Sequence, residues 1–167
     1  MLGSSILAKG SLRGKQDENT YCRASGAKLK LRMDDGSLIS LASGSQLTIH
    51  VFGTGTGGQK GDARLTLTTG LLRVVVSPLS QFSFFEVDCP TGKAEVRSTD
   101  WFIEAQPGSM RVGVLAGRVV MTSLATGRSV SIPSRWGAHL EAELDPVPAR
   151  LWSAAEFADV IARTDVS

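Results

Sequence analysis

Few residues in this chain could do chemistry, and their spacing assembles no reaction centre. The two histidines, His50 and His139, are widely separated. Imidazole metal sites usually draw their ligands from one local frame, as in H-x-H or H-x-x-E-H, and neither spacing occurs. His50 stands between Ile49 and Val51 in an alternating run and is expected on the solvent side of a strand. His139 follows Trp136-Gly137 in a turn-rich stretch. Cys22 and Cys89 could form one disulfide in an oxidising compartment, or stand as two separate thiols, which is the simpler reading. No G-x-S-x-G elbow presents a nucleophile; Ser43, Ser45 and Ser98 fall at turns and breaks. Asp34-Asp35 belongs to a turn, where aspartate bonds to nearby backbone. Glu141 and Glu143, two apart on an extended segment, share a face and can both meet water. General acid–base work needs a carboxyl with a raised pKa, and neither pair is placed to supply one. Gly53-x-Gly55-x-x-Gly58 superficially matches a dinucleotide fingerprint. That fingerprint needs a helix next, whereas Ala63-Arg-Leu-Thr-Leu-Thr68 alternates like a strand. The expectation is no metal, no cofactor and no catalysis.

The totals point the same way. A chain of 167 residues, 42% hydrophobic and 20% charged, is consistent with one domain and a packed core. A net charge of +2 gives no field suited to nucleic acid. No apolar run is long enough for a transmembrane helix. The opening MLGSSILAKGSLRGK lacks the apolar stretch of a signal peptide. The expectation is a cytoplasmic protein, or one whose targeting segment is missing from this sequence.

The elements that must position any site are mostly strands. Ala94 to Thr122 reads as three strands joined by two glycine turns. Trp101, Ile103 and Ala105 alternate with Asp100, Phe102 and Glu104, and Val112 and Val114 alternate with Arg111 and Gly113. Pro107-Gly108 is a hairpin turn, and Gly117 marks the next turn in the chain. Counting back by twos from Trp101 misses Val96, which places a bulge or corner near Ser98-Thr99. Upstream, Ala27, Leu29, Leu31 and Met33 alternate before the Asp34-Asp35-Gly36 turn. Leu38–Leu41 and Leu47, Ile49 and Val51 follow. Leu65–Thr68 and Leu71–Val76 read as strands about a turn at Gly70, then Phe82–Val87, and Ser129–Ile132 as the last strand. Thr69-Gly-Leu-Leu-Arg-Val-Val faintly echoes Ala116-Gly-Arg-Val-Val-Met. The chain divides into an irregular segment at 1–26, a β domain at 27–144, and a proline connector with a helix at 145–167. Ser153-x-x-Glu156 is a capping box, and Phe157, Val160 and Ile161 form one apolar stripe.

The segment Val96-Arg97-Ser98-Thr99-Asp100-Trp101-Phe102-Ile103 resembles the V-R-G-T-x-F-x-V signature of the FecR domain family. Trp101 falls on the family aromatic, Ile103 on its valine, and Ser98 replaces its glycine. Met33-Asp34-Asp35-Gly36-Ser37-Leu38, Thr69-Gly70-Leu71-Leu72-Arg73 and Leu115-Ala116-Gly117-Arg118-Val119 resemble further family stretches in the same order. The resemblance covers roughly 27–135. It implies an all-β, twisted solenoid-like β-sandwich, here with one short C-terminal α-helix. It also implies a noncatalytic, periplasmic sensor or binding module, of the kind found in iron-uptake anti-sigma regulators. Its partner would be another protein or a cell-envelope component. Full regulators of that kind also have a cytoplasmic segment, a membrane helix and a further signalling domain, so anti-sigma activity does not carry over. Val96, Arg97, Ser98, Thr99, Trp101 and Ile103 would be its structural or interaction motif. Phe102, Phe157, Val160 and Ile161 would form either a self-docking face or a partner surface. The alternative is a carbohydrate-binding β-sandwich or an enzyme with a shallow site, with Trp101, Trp136 and Trp152 as candidate aromatic platforms.

Overall fold

The computed structural model describes residues 6–9, 20–33, 35–53, 60–78, 82–97 and 100–165. The early strands are β1 (Ile6–Lys9), β2 (Thr20–Arg23), β3 (Leu29–Arg32), β4 (Leu38–Leu41) and β5 (Gln46–Gly53). The central ones are β6 (Gly61–Val75), β7 (Phe82–Asp88), β8 (Gly92–Val96), β9 (Asp100–Gln106) and β10 (Ser109–Ala116). β11 (Arg118–Ser123), β12 (Ser129–Pro133), β13 (Trp136–Glu141), β14 (Arg150–Leu151) and helix α1 (Ala154–Thr164) complete the chain. The fold is all-β with one short C-terminal helix.

The long strand β6 belongs to two layers. Its second half pairs with β4 and β9, within a first sheet ordered β1-β3-β4-β6-β9-β10-β13-β14. Its first half pairs antiparallel with β5 and parallel with β7, within a second sheet ordered β2-β5-β6-β7-β8-β11-β12. The inner faces of the two sheets share one apolar core, from Ile39, Leu72 and Ile103 on one side to Leu47, Leu65 and Met121 on the other.

Of the places where the chain passes between sheets, three reset the side-chain alternation: within β6, from β8 to β9 and from β10 to β11. The inward residues flanking them are Leu67 and Leu72, Val96 and Trp101, and Val114 and Val119, always an odd step apart. A strand of period two cannot keep one face inward across an odd step, so each site must bend. Gly70 (φ +103) and Gly117 (φ +110) supply two of the bends in conformations that side chains rarely adopt. Ser45, wholly buried, closes the ladder at the first. Its Oγ accepts from Leu71 N at 3.0 Å and donates to Leu71 O at 3.3 Å. The echo between the Gly70 and Gly117 segments is therefore a repeated corner.

Several expectations need correction. Leu65–Thr68 and Leu71–Val76 are not two strands about a turn but parts of one bent strand of 15 residues. The turn expected at Gly117 is present, and it joins strands of different sheets. Val51 is exposed and Phe52 buried, because the register with β6 shifts between Ile49 and Val51. Ser129–Ile132 is not the last strand. Arg135, at φ +75, turns the chain into β13 without any glycine to announce it. The irregular opening contains β2, which pairs with β5. Asp34, the 54–59 stretch of the glycine-rich loop, and the Ser98-Thr99 corner lie outside the described residues.

Candidate interaction surfaces

The described motif residues flank a sheet crossing. Val96 ends β8 in the second sheet, and Trp101 and Ile103 lie in β9 of the first, all three in the shared core. Arg97 is exposed, and its backbone pairs with Arg118 through N–H···O contacts of 2.8 and 3.2 Å. Trp101 meets the edge of Phe85 at 5.8 Å between ring centroids, continuing a cluster with Phe52 and Phe82. Among the described residues, its Nε1–H finds no hydrogen-bond partner. A fully enclosed ring cannot act as a platform for a ligand.

On the other face of β9, Phe102 is also buried, in a second cluster with Ala42, Leu71, Trp152, Phe157 and Val160. Helix α1 supplies Phe157 and Val160, and Ile161 packs at the cluster's margin. The helix starts where Ser153 Oγ accepts from Glu156 N at 3.2 Å while Glu156 Oε1 accepts from Ser153 N at 3.1 Å. A segment of 11 residues would be marginal alone, so its docking on the sheet holds it folded. Phe102 and Phe157 stand 6.5 Å apart, and Trp152 and Phe157 5.2 Å. Trp152 lies over the cross-strand pair Gly113 and Gly137, where any Cβ would collide with its indole.

Charge frames this apolar contact. Glu104 is 4% exposed and accepts from Arg111 Nε at 2.6 Å and from Arg163 on the helix. That hydrogen bond, foremost, raises the Arg163 pKa. Asp159 adds ion pairs to the same two guanidiniums at 3.9 and 3.4 Å. Lys28 Nζ donates to Ala162 O and Asp165 O at the helix C-terminus, at 2.7 and 3.1 Å. Arg73 forks onto Asp100 at 3.1 and 2.9 Å and lies 5.3 Å over the Phe102 ring. Arg111 covers Trp152 at 5.4 Å. A shallow cleft of about 380 Å³ beside the helix is lined by Glu104, Arg111, His139, Glu141 and Arg163 among others. With its carboxylate held by two guanidiniums, Glu104 ties the helix to the sheet.

Other described titratable groups lie away from this face. His50 shares a hydrogen bond with Thr66 Oγ1 at 2.8 Å. The two cysteines are free thiols. Burial raises the pKa of both, that of Cys89 to about 12, so neither is a ready nucleophile. Glu86 is raised by burial and by Asp88 beside it, on a sheet face whose Lys93 and Arg64 oppose the shift. Among the described residues, no three metal-ligating side chains come together. No described helix is long and apolar enough to cross a membrane.

Sequence reasoning missed the outer face of the second sheet. The registers bring Tyr21, Thr48, Thr66, Asp88, Lys93, Thr122 and Ser129 into one row across all seven strands. Six strand spacings make this row about 29 Å long. Thr122 and Ser129 hydrogen-bond at 2.7 Å. The only visible hint was the threonine alternation at Arg64-Leu-Thr-Leu-Thr68; the row itself depends on long-range pairing.

The sequence profile of the FecR protein family matches residues 19–120. That span runs from β2 through the first half of β11, across both sheets and the three crossings that reset the alternation. Two solved structures of a candidate anti-sigma factor from Parabacteroides distasonis share the fold at 13% identity. One aligns with a TM-score of 0.65 over 84% of this chain, the other with 0.62 over 83%. In each case the chain spans 63% of the relative's length. No curated protein matches the sequence. With the family profile matching more than half of its residues, the chain belongs to the FecR protein family.

Proposed function

We propose that this protein is a noncatalytic recognition module of cell-envelope signalling, acting in the periplasm and binding another protein or an envelope component. The observation that carries this reading is the family match across both sheets. Two structural features support it. Lys28, Glu104, Arg111 and Arg163 on the helix-bearing face are engaged in holding the helix, and the second sheet presents a broad polar face. Strands built this way present a rigid surface at little conformational cost on binding. On this reading regulation of transcription, including that of iron uptake, is an output to be tested; the family match supports it.

The experiment is deletion of the gene, with genome-wide transcript levels compared in iron-limited and iron-replete medium, and fractionation of the native protein. The expected result is recovery in the periplasmic fraction and a coherent change in genes under an alternative sigma factor, restored by complementation. Unchanged transcripts in both media would overturn the signalling reading, and recovery in the cytoplasm would overturn the location.

A further inference from the structure

We infer that the second sheet carries a saccharide-binding cleft at its β2 end. This rests on the reading of the chain as a recognition module and names a site and a ligand class for it. A shallow cleft of about 340 Å³ opens there, lined by Tyr21 and Arg23 from β2, Gln46 and Thr48 from β5, and Thr68 from β6, with Cys22 and Leu47. The Tyr21 side is wide open, the residue being 78% exposed. Arg23, Gln46, Thr48 and Thr68 form no side-chain hydrogen bond or ion pair among the described residues. Their donors and acceptors are left for solvent or a ligand.

The chemistry of the lining selects the ligand. A tyrosine ring offers a flat apolar face with a polar tip, suited to the C–H face of a pyranose. Two hydroxyls and one amide both donate and accept, and a guanidinium donates in a planar fork; together they suit vicinal hydroxyls. Arg23 is the one charged group in the cleft, so neutral sugars and sugars carrying a carboxylate both match. An added peptide strand would instead pair with backbone at a sheet edge. The cleft runs across three strands, on their outer face, and such a peptide would leave it unused. Beyond the cleft, the row from Thr66 to Ser129 continues the hydroxyl and charged groups across the sheet, as a linear glycan would need.

Tyr21 is the only tyrosine in the chain, so every NMR ring signal of labelled tyrosine comes from this cleft. The full chain is titrated with chitotetraose, cellotetraose and tetragalacturonate to millimolar concentration, and calorimetry follows the variants. The proposal expects a saturable shift with at least one of the three. It expects binding weakened about tenfold or more in Tyr21→Ala, and largely kept in Tyr21→Phe. Arg23→Ala should discriminate against tetragalacturonate alone if the acidic sugar is the ligand. Calorimetric binding without a tyrosine shift would overturn the site, and a shift produced only by an extended peptide would overturn the ligand class. If no sugar moves the signal while gene deletion still alters sigma-dependent transcription, the cleft assignment fails and the signalling reading stands.

Discussion

Trp152 rests directly on Gly137: a Cβ at that position would overlap the indole ring, and the neighbouring Gly113 is in the same situation. The two glycines form a cross-strand pair between β10 and β13, so together they make a notch the width of one ring. Trp152 then leads into the N-cap of α1, and the seat of one side chain sets where the helix begins.

Gly137→Ala should therefore unseat Trp152 and loosen the helix. Overpacking of this kind costs about 1–3 kcal/mol. The check is chemical denaturation together with helix-selective hydrogen exchange. Gly53→Ala, where a Cβ meets nothing within 4 Å, is the control. Equal stability of the two variants would show that the notch is not required.

Trp101→Ala should cost about 3–5 kcal/mol, since it empties a wholly buried ring site. The aromatic neighbours Phe85, Phe52 and Phe82 cannot close over that volume without moving two sheets. A thermal melt left unchanged would reject the assignment of this residue as the centre of the core.

Much of this arrangement was legible in the sequence, and the missing parts share one cause. The alternation in β9, the capping box and the helix stripe are local patterns, and each appears where its spacing put it. The odd step between Val96 and Trp101 was visible too, but only pairing partners reveal it as a passage between sheets. Gly70 read as a turn because a glycine between two apolar runs usually is one. Here the strand continues, with Ser45 from a distant segment bonding the bend. The β13 strand was hidden by a turn at Arg135 that uses no glycine. The cleft around Tyr21 joins residues from three strands that local spacing does not connect.

Glu104→Ala should destabilise the protein by about 1–3 kcal/mol, by removing the acceptor of two charged donors. The side chains of Arg111 and Arg163 are 32% and 40% exposed, so water recovers part of the loss. In the double variant with Arg163→Ala, the losses should fall short of additive. Full additivity in a double-mutant cycle would show that the pair does not couple helix to sheet.

Acid should loosen the helix through Glu156. Its pKa is lowered to about 2, first by the hydrogen bonds from Arg150, then by the Ser153 backbone. In the unfolded chain the same carboxyl titrates near about 4.3. A depressed folded-state pKa contributes stability that is complete above the unfolded value and fades as pH falls toward about 2. Thermal melts stepped from about pH 5 to about pH 2 should therefore decline less steeply in Glu156→Gln than in the parent chain. Parallel profiles would exclude a contribution from this residue.

The central claim is that the protein works by recognising another envelope component. It is tested most directly by a photo-reactive residue introduced in living cells at exposed positions: Tyr21, Val51, Phe84, Trp136 and Leu151. The account predicts a discrete adduct of higher mass from a subset of these positions, formed in the periplasmic fraction and absent without irradiation. Irradiation that yields no adduct from any of the five, in cells where the variants complement the deletion, would contradict it.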